Sequence, residues 1–198
     1  MHRLVVRDEA RNVLLRAMYE RCPLLGAHGG EVADLAQRTA ERLGLDRGSL
    51  RAVRHAAELH DVGKLAIPDA VLEKPGPLDE HEWAAMRRHT VIGERIIGSA
   101  AGLADVAALV RSSHERWDGA GYPDGLAGAA IPLGARVIAV CDAWDAMTAD
   151  RPYRPAMTRD EALAELERCA GAQFDPAVVA AFIGVLDEPP ARHLQAVA

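Results

Sequence analysis

The sequence has few cysteines, few aromatic residues and no long apolar stretch. Its three cysteines, Cys22, Cys141 and Cys169, form no closely spaced pair, and their odd number argues against a disulfide framework. The first residues, MHRLVVRDEARNVLL, carry scattered charges, so they resemble neither a signal peptide nor a membrane span. These absences favour a cytoplasmic protein in a reducing compartment, with no membrane among its partners.

The sequence also lacks an excess of basic charge. Its formal net charge is -6 at neutral pH, so non-specific attraction to the backbone of a nucleic acid is not expected. DNA is therefore excluded as a partner, and any bound phosphate must be held by a few local side chains. The oligomeric state is not revealed, and a homodimer stays open.

Aliphatic residues, by contrast, are abundant. Hydrophobic residues make up 49% of the chain and aromatic residues only 4%, so the core must consist mainly of Ala, Leu, Val and Ile. Such a core suits close-packed helices, and 198 residues suit one domain. We therefore predict an all-α fold. Helical patterns cover residues 8–21, 28–43, 45–61, 91–99, 103–113, 133–149, 160–170 and 176–186.

Two features lie between these helical patterns. Asp79, followed three residues later by Glu82, matches a capping box, which predicts a helix that ends at or before His89. Residues 117–132, WDGAGYPDGLAGAAIP, form a segment rich in glycine and proline. Because few loops of this length lack a function, we expect this loop to have one.

The pair His60-Asp61 is the first indication of chemistry. An imidazole and a carboxylate at a helix end can turn into one pocket, and the two carboxylate oxygens can bridge two cations. Gly63 lets the backbone approach a ligand closely, and Lys64 lies on the same side of the turn, where it can hold a phosphate oxygen. A surface capping pair and an ordinary solvated lysine are the alternatives.

Further ligands of such a site must come from distant helices, because helical domains build metal sites from facing helices. Spacing alone does not select them from the eight histidines of the chain. Four residues on or at the ends of predicted helices are candidates: His28, His89, His114 and Asp142. The other histidines lack such settings and are interpreted as non-ligands: His2, His55, His81 and His193.

Four segments together resemble the HD-GYP family of HD-domain phosphohydrolases. They are HDVGK at 60–64, HERWDGAGYPDGL at 114–126, IPLGARVIAVCDAWDAMTADRPYR at 131–154 and AGAQFDP at 170–176. The resemblance covers roughly residues 27–182. It implies an HD-domain helical bundle with a GYP loop and C-terminal helices. The domain organisation is then an N-terminal helical extension at 1–26, the HD-GYP domain at 27–187 and a flexible tail at 188–198.

The resemblance also implies a site with two divalent metal ions, and ligands without thiolate suit iron or manganese. Asp61 is the expected bridge between the ions, and Lys64 is expected to neutralise charge on the phosphoryl oxygens. The implied metal ligands are His28, His60, Asp61, His89, His114 and Asp142. The implied substrate contacts are Lys64, Arg151, Arg154 and the GYP residues Gly121, Tyr122 and Pro123, whose loop is also a suspected surface for a protein partner.

This sequence departs from the family pattern at two positions. Ser113 precedes His114 where the family usually has a second histidine, and a serine is a far poorer ligand than an imidazole. Three outcomes stay open for the second metal: weaker binding, a water in place of the missing imidazole, or absence from some preparations. Leu24 stands where some members carry a glutamate that supports a third metal, so a trinuclear site is not expected.

The resemblance implies a phosphodiesterase that converts cyclic di-GMP to pGpG and on to GMP. Two alternatives stay open: a module of low activity that binds cyclic di-GMP or a protein, and a phosphohydrolase for another cyclic dinucleotide or nucleotide. The three tryptophans, Trp83, Trp117 and Trp144, are interpreted as packing residues, although Trp117 borders the site and could line a base pocket. Cys141 is interpreted as a buried small side chain.

Overall fold

A computed structural model describes the backbone of residues 2–21, 23–150 and 155–188, and the side chains of residues 7–21, 29–150 and 155–188. Within these ranges the chain is helical, without strands beyond an isolated bridge between Ala170 and Phe174. The predicted all-α fold is confirmed. The helices are α1 His2–Arg21, α2 Pro23–Arg42, α3 Arg47–Leu59, α4 Asp69–Leu72, α5 Glu80–Arg87, α6 His89–Gly98, α7 Ala104–Arg111, α8 Leu133–Thr148, α9 Arg159–Cys169 and α10 Pro176–Asp187, and 3-10 turns cover Val62–Ala66 and Gly128–Ala130.

Polar caps fix where several helices begin. The Asp79 carboxylate accepts a hydrogen bond from the backbone N–H of Glu82, and the Glu82 side chain accepts one from the backbone N–H of Asp79, so the predicted capping box is confirmed. Asp175 caps α10, and Pro176 follows at a first-turn position, where its missing N–H costs no helical hydrogen bond.

The helix boundaries differ from the sequence predictions at several ends. Helix α2 begins at Pro23 rather than at residue 28, because a proline is well tolerated at the first helical position and packing offsets the low helix propensity of its glycines. Helix α1 begins at His2 rather than at residue 8. His89 lies beyond the end of α5, as predicted, and it is the first residue of α6.

The core is built around α2, α3 and α8. Helix α2 packs against α3, α8 and α10, while α3 also contacts α7, and α6 packs against α7 and the first 3-10 turn. Small aliphatic side chains fill the contacts, and Ala36, Ala40, Ala56 and Ala57 are fully buried. The predicted aliphatic core is therefore observed, and it brings the end of α3, the start of α6 and the middle of α8 to one place.

The ends of the chain bear on the predicted domain division. Helix α1 packs against α2, α3 and the first 3-10 turn, and the predicted boundary after residue 26 falls inside α2. The division into extension, domain and tail stays a prediction, and residues 189–198 of the tail lie outside the described residues. None of the described helices combines the length and the apolar content that a membrane span requires.

Candidate metal centre and its cavity

His60 follows the last residue of α3 and points into the interior. Its Nδ1 atom lies 2.6 Å from the carbonyl oxygen of Ala57, and because a carbonyl only accepts, Nδ1 is assigned the proton. The Nε2 atom then faces two carboxylates, 3.7 Å from Oδ2 of Asp61 and 3.5 Å from Oδ1 of Asp142 on α8. The backbone contact thus orients His60 toward the acidic side chains.

Asp61 occupies the centre of the cluster, immediately before the first 3-10 turn. Its Oδ2 atom accepts a hydrogen bond from Nζ of Lys64 at 2.6 Å, and its Oδ1 atom lies 3.7 Å from Nε2 of His89. The predicted proximity of Lys64 and Asp61 is therefore observed. Each carboxylate oxygen faces a different group, as a bridging ligand requires.

Gly63 allows α6 to begin against this turn. A Cβ atom at Gly63 would lie 1.8 Å from the backbone carbonyl oxygen of His89, which leaves no room for any side chain. The sequence-based interpretation, in which Gly63 lets the backbone approach a ligand, stays a prediction, because the contact observed here is with another helix. The close neighbour is the backbone of His89, and the glycine thereby brings His89 to Asp61.

His89 and His114 complete this side of the cluster. Nδ1 of His89 lies 2.7 Å from the Met86 carbonyl oxygen, which assigns the proton to Nδ1 and leaves Nε2 as an acceptor. The two imidazole rings meet edge to face, with their centroids 4.9 Å apart and an interplanar angle of 77°. One potential ligand atom from each of Asp61, His89 and His114 lies within 4.8 Å of the other two.

Three buried atoms of this group lack a hydrogen-bond partner among the described residues: Oδ1 of Asp61, Nε2 of His89 and Nε2 of His114. Burying an unpartnered polar atom is costly, and native proteins rarely leave one without a reason. One carboxylate oxygen and two imidazole nitrogens form a donor set that suits a divalent transition metal. The described residues thus contain a possible metal site.

The pKa values in the cluster diverge. Burial and the neighbouring His114 lower the pKa of His89 to about 4, and burial also lowers the pKa of His114. Burial disfavours the charged form of His60, but the carboxylates of Asp61 and Asp142 outweigh it and raise its pKa to about 9. Burial likewise opposes ionisation of Asp61, yet Lys64 and His60 hold its pKa well below the usual range.

The GYP loop folds back over the cluster. The ring of Tyr122 stacks on the imidazole of His114, with the centroids 5.2 Å apart and an interplanar angle of 6°. The backbone N–H of Tyr122 also donates a hydrogen bond to the carbonyl oxygen of His114 at 3.2 Å. A Cβ atom at Gly121 would lie 2.3 Å from the backbone nitrogen of Arg116, so only glycine fits there. The buried carboxylate of Glu115, which sequence reasoning missed, holds the loop by accepting from two backbone N–H groups, at 2.7 and 3.0 Å.

A cavity of about 700 Å³ opens above the cluster. Lys64, Gly121, Tyr122 and Asp142 line it, whereas Pro123 does not. Arg151 and Arg154 lie outside the described residues, and His28 lies on α2 with its side chain outside them. The predicted phosphate contacts of the two arginines and the metal role of His28 stay predictions.

The tryptophans differ from the sequence-based interpretation. Trp83 is 47% exposed and lines the cavity, so its interpretation as a packing residue is wrong. Trp117 does not line the cavity, and the Arg136 guanidinium lies over its ring. Trp144 packs edge-on against Phe182 in the core, as expected. Arg87, one helical turn after Trp83 on α5, also lines the cavity. The spacing of these two residues was visible in the sequence, but their position at the cavity was not.

Ser113 and Cys141 are both buried. The Ser113 hydroxyl donates to the Val110 carbonyl at 2.9 Å, so its proton is used within the end of α7, although the residue also lines the cavity. Cys141 is a buried free cysteine, as predicted, and burial raises the pKa of its thiol. Neither residue contributes one of the three buried atoms that lack a hydrogen-bond partner among the described residues.

Comparison with known proteins gives consistent similarities. The family model described as HD domain matches residues 12–178. The chain is 46% identical over 177 residues to the cyclic di-GMP phosphodiesterase response regulator RpfG of Xanthomonas campestris, covering 88% of this chain and 47% of that protein. It is 39% identical over 177 residues to 3'3'-cGAMP-specific phosphodiesterase 2 of Vibrio cholerae, covering 88% of this chain and 34% of that protein.

A solved structure shares the fold. The structure of Bd1817, an HDG"Y"P protein from Bdellovibrio bacteriovorus, matches with a TM-score of 0.65 at 18% identity, covering 92% of this chain and 62% of that chain. The present chain spans under half the length of the two curated relatives.

Proposed function

Because this chain belongs to the HD-domain family and resembles its HD-GYP members, we propose that it is a metal-dependent phosphodiesterase that hydrolyses cyclic di-GMP to pGpG and on to GMP. The observation that carries the proposal is the convergence of three buried, unpartnered ligand atoms beside Lys64 under an open cavity. The name of the Xanthomonas relative supports the substrate.

The proposed site holds two divalent cations, iron or manganese. Asp61, His89 and His114 would hold one cation. His60, Asp61 and Asp142 would hold the other, together with His28. Cations bound there would supply the Lewis-acid chemistry that cleavage of a phosphodiester needs.

Lys64 and Tyr122 have separate roles in this proposal. The Lys64 ammonium, 22% exposed at the cavity, would donate to a phosphoryl oxygen of the substrate and stabilise negative charge in the transition state. The Tyr122 ring lies flat on His114 and keeps that imidazole in its orientation. Asp61 holds Lys64 in place through their hydrogen bond.

The test is hydrolysis of cyclic di-GMP by the purified chain with Mn²⁺ or with Fe²⁺, with the products separated by chromatography. Lys64→Met should lower kcat by about a hundredfold, as removal of one transition-state donor does. Lys74→Met is the matched control, because Lys74 also donates to a carboxylate at 2.6 Å, that of Glu82, but does not line the cavity. If cyclic di-GMP stays intact both with Mn²⁺ and with Fe²⁺, the proposal is overturned.

A second substrate and a second function are tested by the same experiment. The Vibrio relative is named for 3'3'-cGAMP, so this dinucleotide is assayed in parallel. Ser113, in place of a histidine, favours the alternative of a binding module, which predicts binding of cyclic di-GMP without turnover. Calorimetric binding beside the hydrolysis assay separates the two functions.

The remaining partner proposals concern the loop and the chain itself. Residues 124, 125 and 127 of the GYP loop are exposed, which supports a protein contact there. A homodimer is tested by light scattering in solution.

The free thiols of Cys141 and Cys169 support a reducing, cytoplasmic location.

A further inference from the structure

Helix α5 presents Trp83 and Arg87 to the cavity, one helical turn apart. The guanidinium carbon of Arg87 lies 5.9 Å from the ring centroid of Trp83 and 5.6 Å from that of Tyr122. Tyr122 in turn stacks on His114. A row of planar groups therefore runs from the metal cluster, through Tyr122 and Arg87, to the indole of Trp83 at the surface.

The charge of Arg87 is not balanced within the described part of the chain. No described carboxylate lies within ion-pair distance of its guanidinium, whereas Arg116, another arginine of the cavity wall, pairs with Asp118 at 2.6 Å. The rings of Trp83 and Tyr122 contact Arg87 through cation–π interactions, which leave the N–H groups at the guanidinium edge available to an anion.

The exposure of Trp83 calls for a separate explanation. An indole that is 47% exposed keeps a large apolar face in water, and Leu78 and Met86 line the same cavity. The capping box of Asp79 and Glu82 starts α5 without help from this side chain. Trp83 therefore has an apolar, planar surface whose position suits a flat ligand in the cavity.

We propose, on the premise of the function proposed above, that Trp83 and Arg87 bind the nucleotide unit of the substrate that is not being cleaved. The indole stacks on the purine of that unit, and the guanidinium edge donates to its phosphate. A cyclic dinucleotide has two phosphates, and only one can lie at the metal cluster during cleavage. Arg87, held between two rings near that cluster, supplies charge for the second.

Kinetics with two substrates test this subsite. Trp83→Ala and Arg87→Met should each raise KM for cyclic di-GMP by about tenfold with a smaller change in kcat, and Trp83→Phe should restore most of the affinity. Bis(p-nitrophenyl) phosphate has one phosphate and no purine, so the preference for cyclic di-GMP over this diester should fall by about tenfold. Arg88→Met is the matched control, because Arg88 directly follows Arg87 and is also exposed but does not line the cavity.

Binding separates the subsite from catalysis. The chain treated with a chelator is titrated with cyclic di-GMP by calorimetry, and Trp83→Ala and Arg87→Met should each weaken binding by about tenfold. A wild-type chain that binds but does not cut overturns the phosphodiesterase while leaving the subsite in place. Wild-type affinity in both variants, an equal loss in Arg88→Met, or no binding by the wild-type chain overturns the subsite.

Discussion

The histidines and aspartates of the cluster fall into two halves that satisfy their polar atoms in different ways. In the open half, Asp61 Oδ1, His89 and His114 converge with three buried atoms that lack partners among the described residues. In the paired half, His60 lies between the carboxylates of Asp61 and Asp142, 3.7 and 3.5 Å away. The pKa of His89 is lowered to about 4, whereas that of His60 is raised to about 9.

The difference indicates how each half would take up a cation. A metal ligand must be deprotonated, and the lowered pKa of His89 keeps its imidazole neutral and ready to bind. In the paired half, a cation must first displace the proton that the two nearby carboxylates keep on His60 by raising its pKa. The open half is therefore better prepared to bind a cation, although the serine at position 113 had predicted weaker metal binding there.

The largest effect is expected at Asp61, which belongs to both halves. Asp61→Ala should remove both ions and lower turnover by at least about a thousandfold, because the proposed bridge and the anchor of Lys64 are lost together. Metal content by mass spectrometry and turnover of cyclic di-GMP measure the two effects. Asp69→Ala, at an exposed carboxylate, is the control. Two retained ions would rule out the bridging role.

A smaller loss of metal and of turnover is expected at His89, and it tests whether the two halves bind their ions independently. His89→Ala removes a ligand of the open half only, so we expect one ion to be lost and kcat to fall by about a hundredfold. His81→Ala, at an exposed histidine on α5, should keep wild-type metal content. Loss of both ions in His89→Ala would mean that the halves do not bind independently.

Local rules in the sequence predicted much of the fold. The capping box at Asp79, the proline at the start of α10 and the aliphatic core all follow from neighbouring residues. The helix starts at His2 and Pro23 were not predicted from such rules.

The candidate site depended on a resemblance, because the spacing of eight histidines did not select any of them. The contact of Gly63 with His89, and the position of Trp83 at the cavity in place of Trp117, arise where distant segments pack together. No local pattern encodes such contacts. The sequence therefore predicted which residue types matter more accurately than which neighbours they have.

The pKa values predict how the stability of the metal-free chain depends on pH. Between about 4 and 6.5 the unfolded chain binds a proton at His89 that the folded chain refuses, so stability rises with pH. Between 6.5 and about 9 the folded chain keeps a proton on His60 that the unfolded chain releases, so stability falls as pH rises. Stability should therefore peak near pH 6.5, which is the ordinary pKa of both histidines.

Two variants test the acidic limb below pH 6.5 and the alkaline limb above it, over each of which the free energy of unfolding should change by about 3 kcal/mol. His89→Ala should make the acidic limb shallower, although His114, whose pKa is also lowered, still contributes to it, and His60→Gln should flatten the alkaline limb, as measured by urea unfolding of chelator-treated protein across pH. An unchanged alkaline limb in His60→Gln would show that the paired half does not hold its proton on His60.

The smallest effect is expected from restoring a histidine beside the open half. Ser113→His places an imidazole at a buried position that lines the cavity next to His114, so it should tighten binding of Mn²⁺ to the open half by up to about tenfold. Ser113→Ala is the control, because it removes the hydrogen bond to Val110 without adding a ligand. Equal Mn²⁺ affinity in all three proteins would show that Asp61, His89 and His114 already suffice, and that the serine does not weaken the centre.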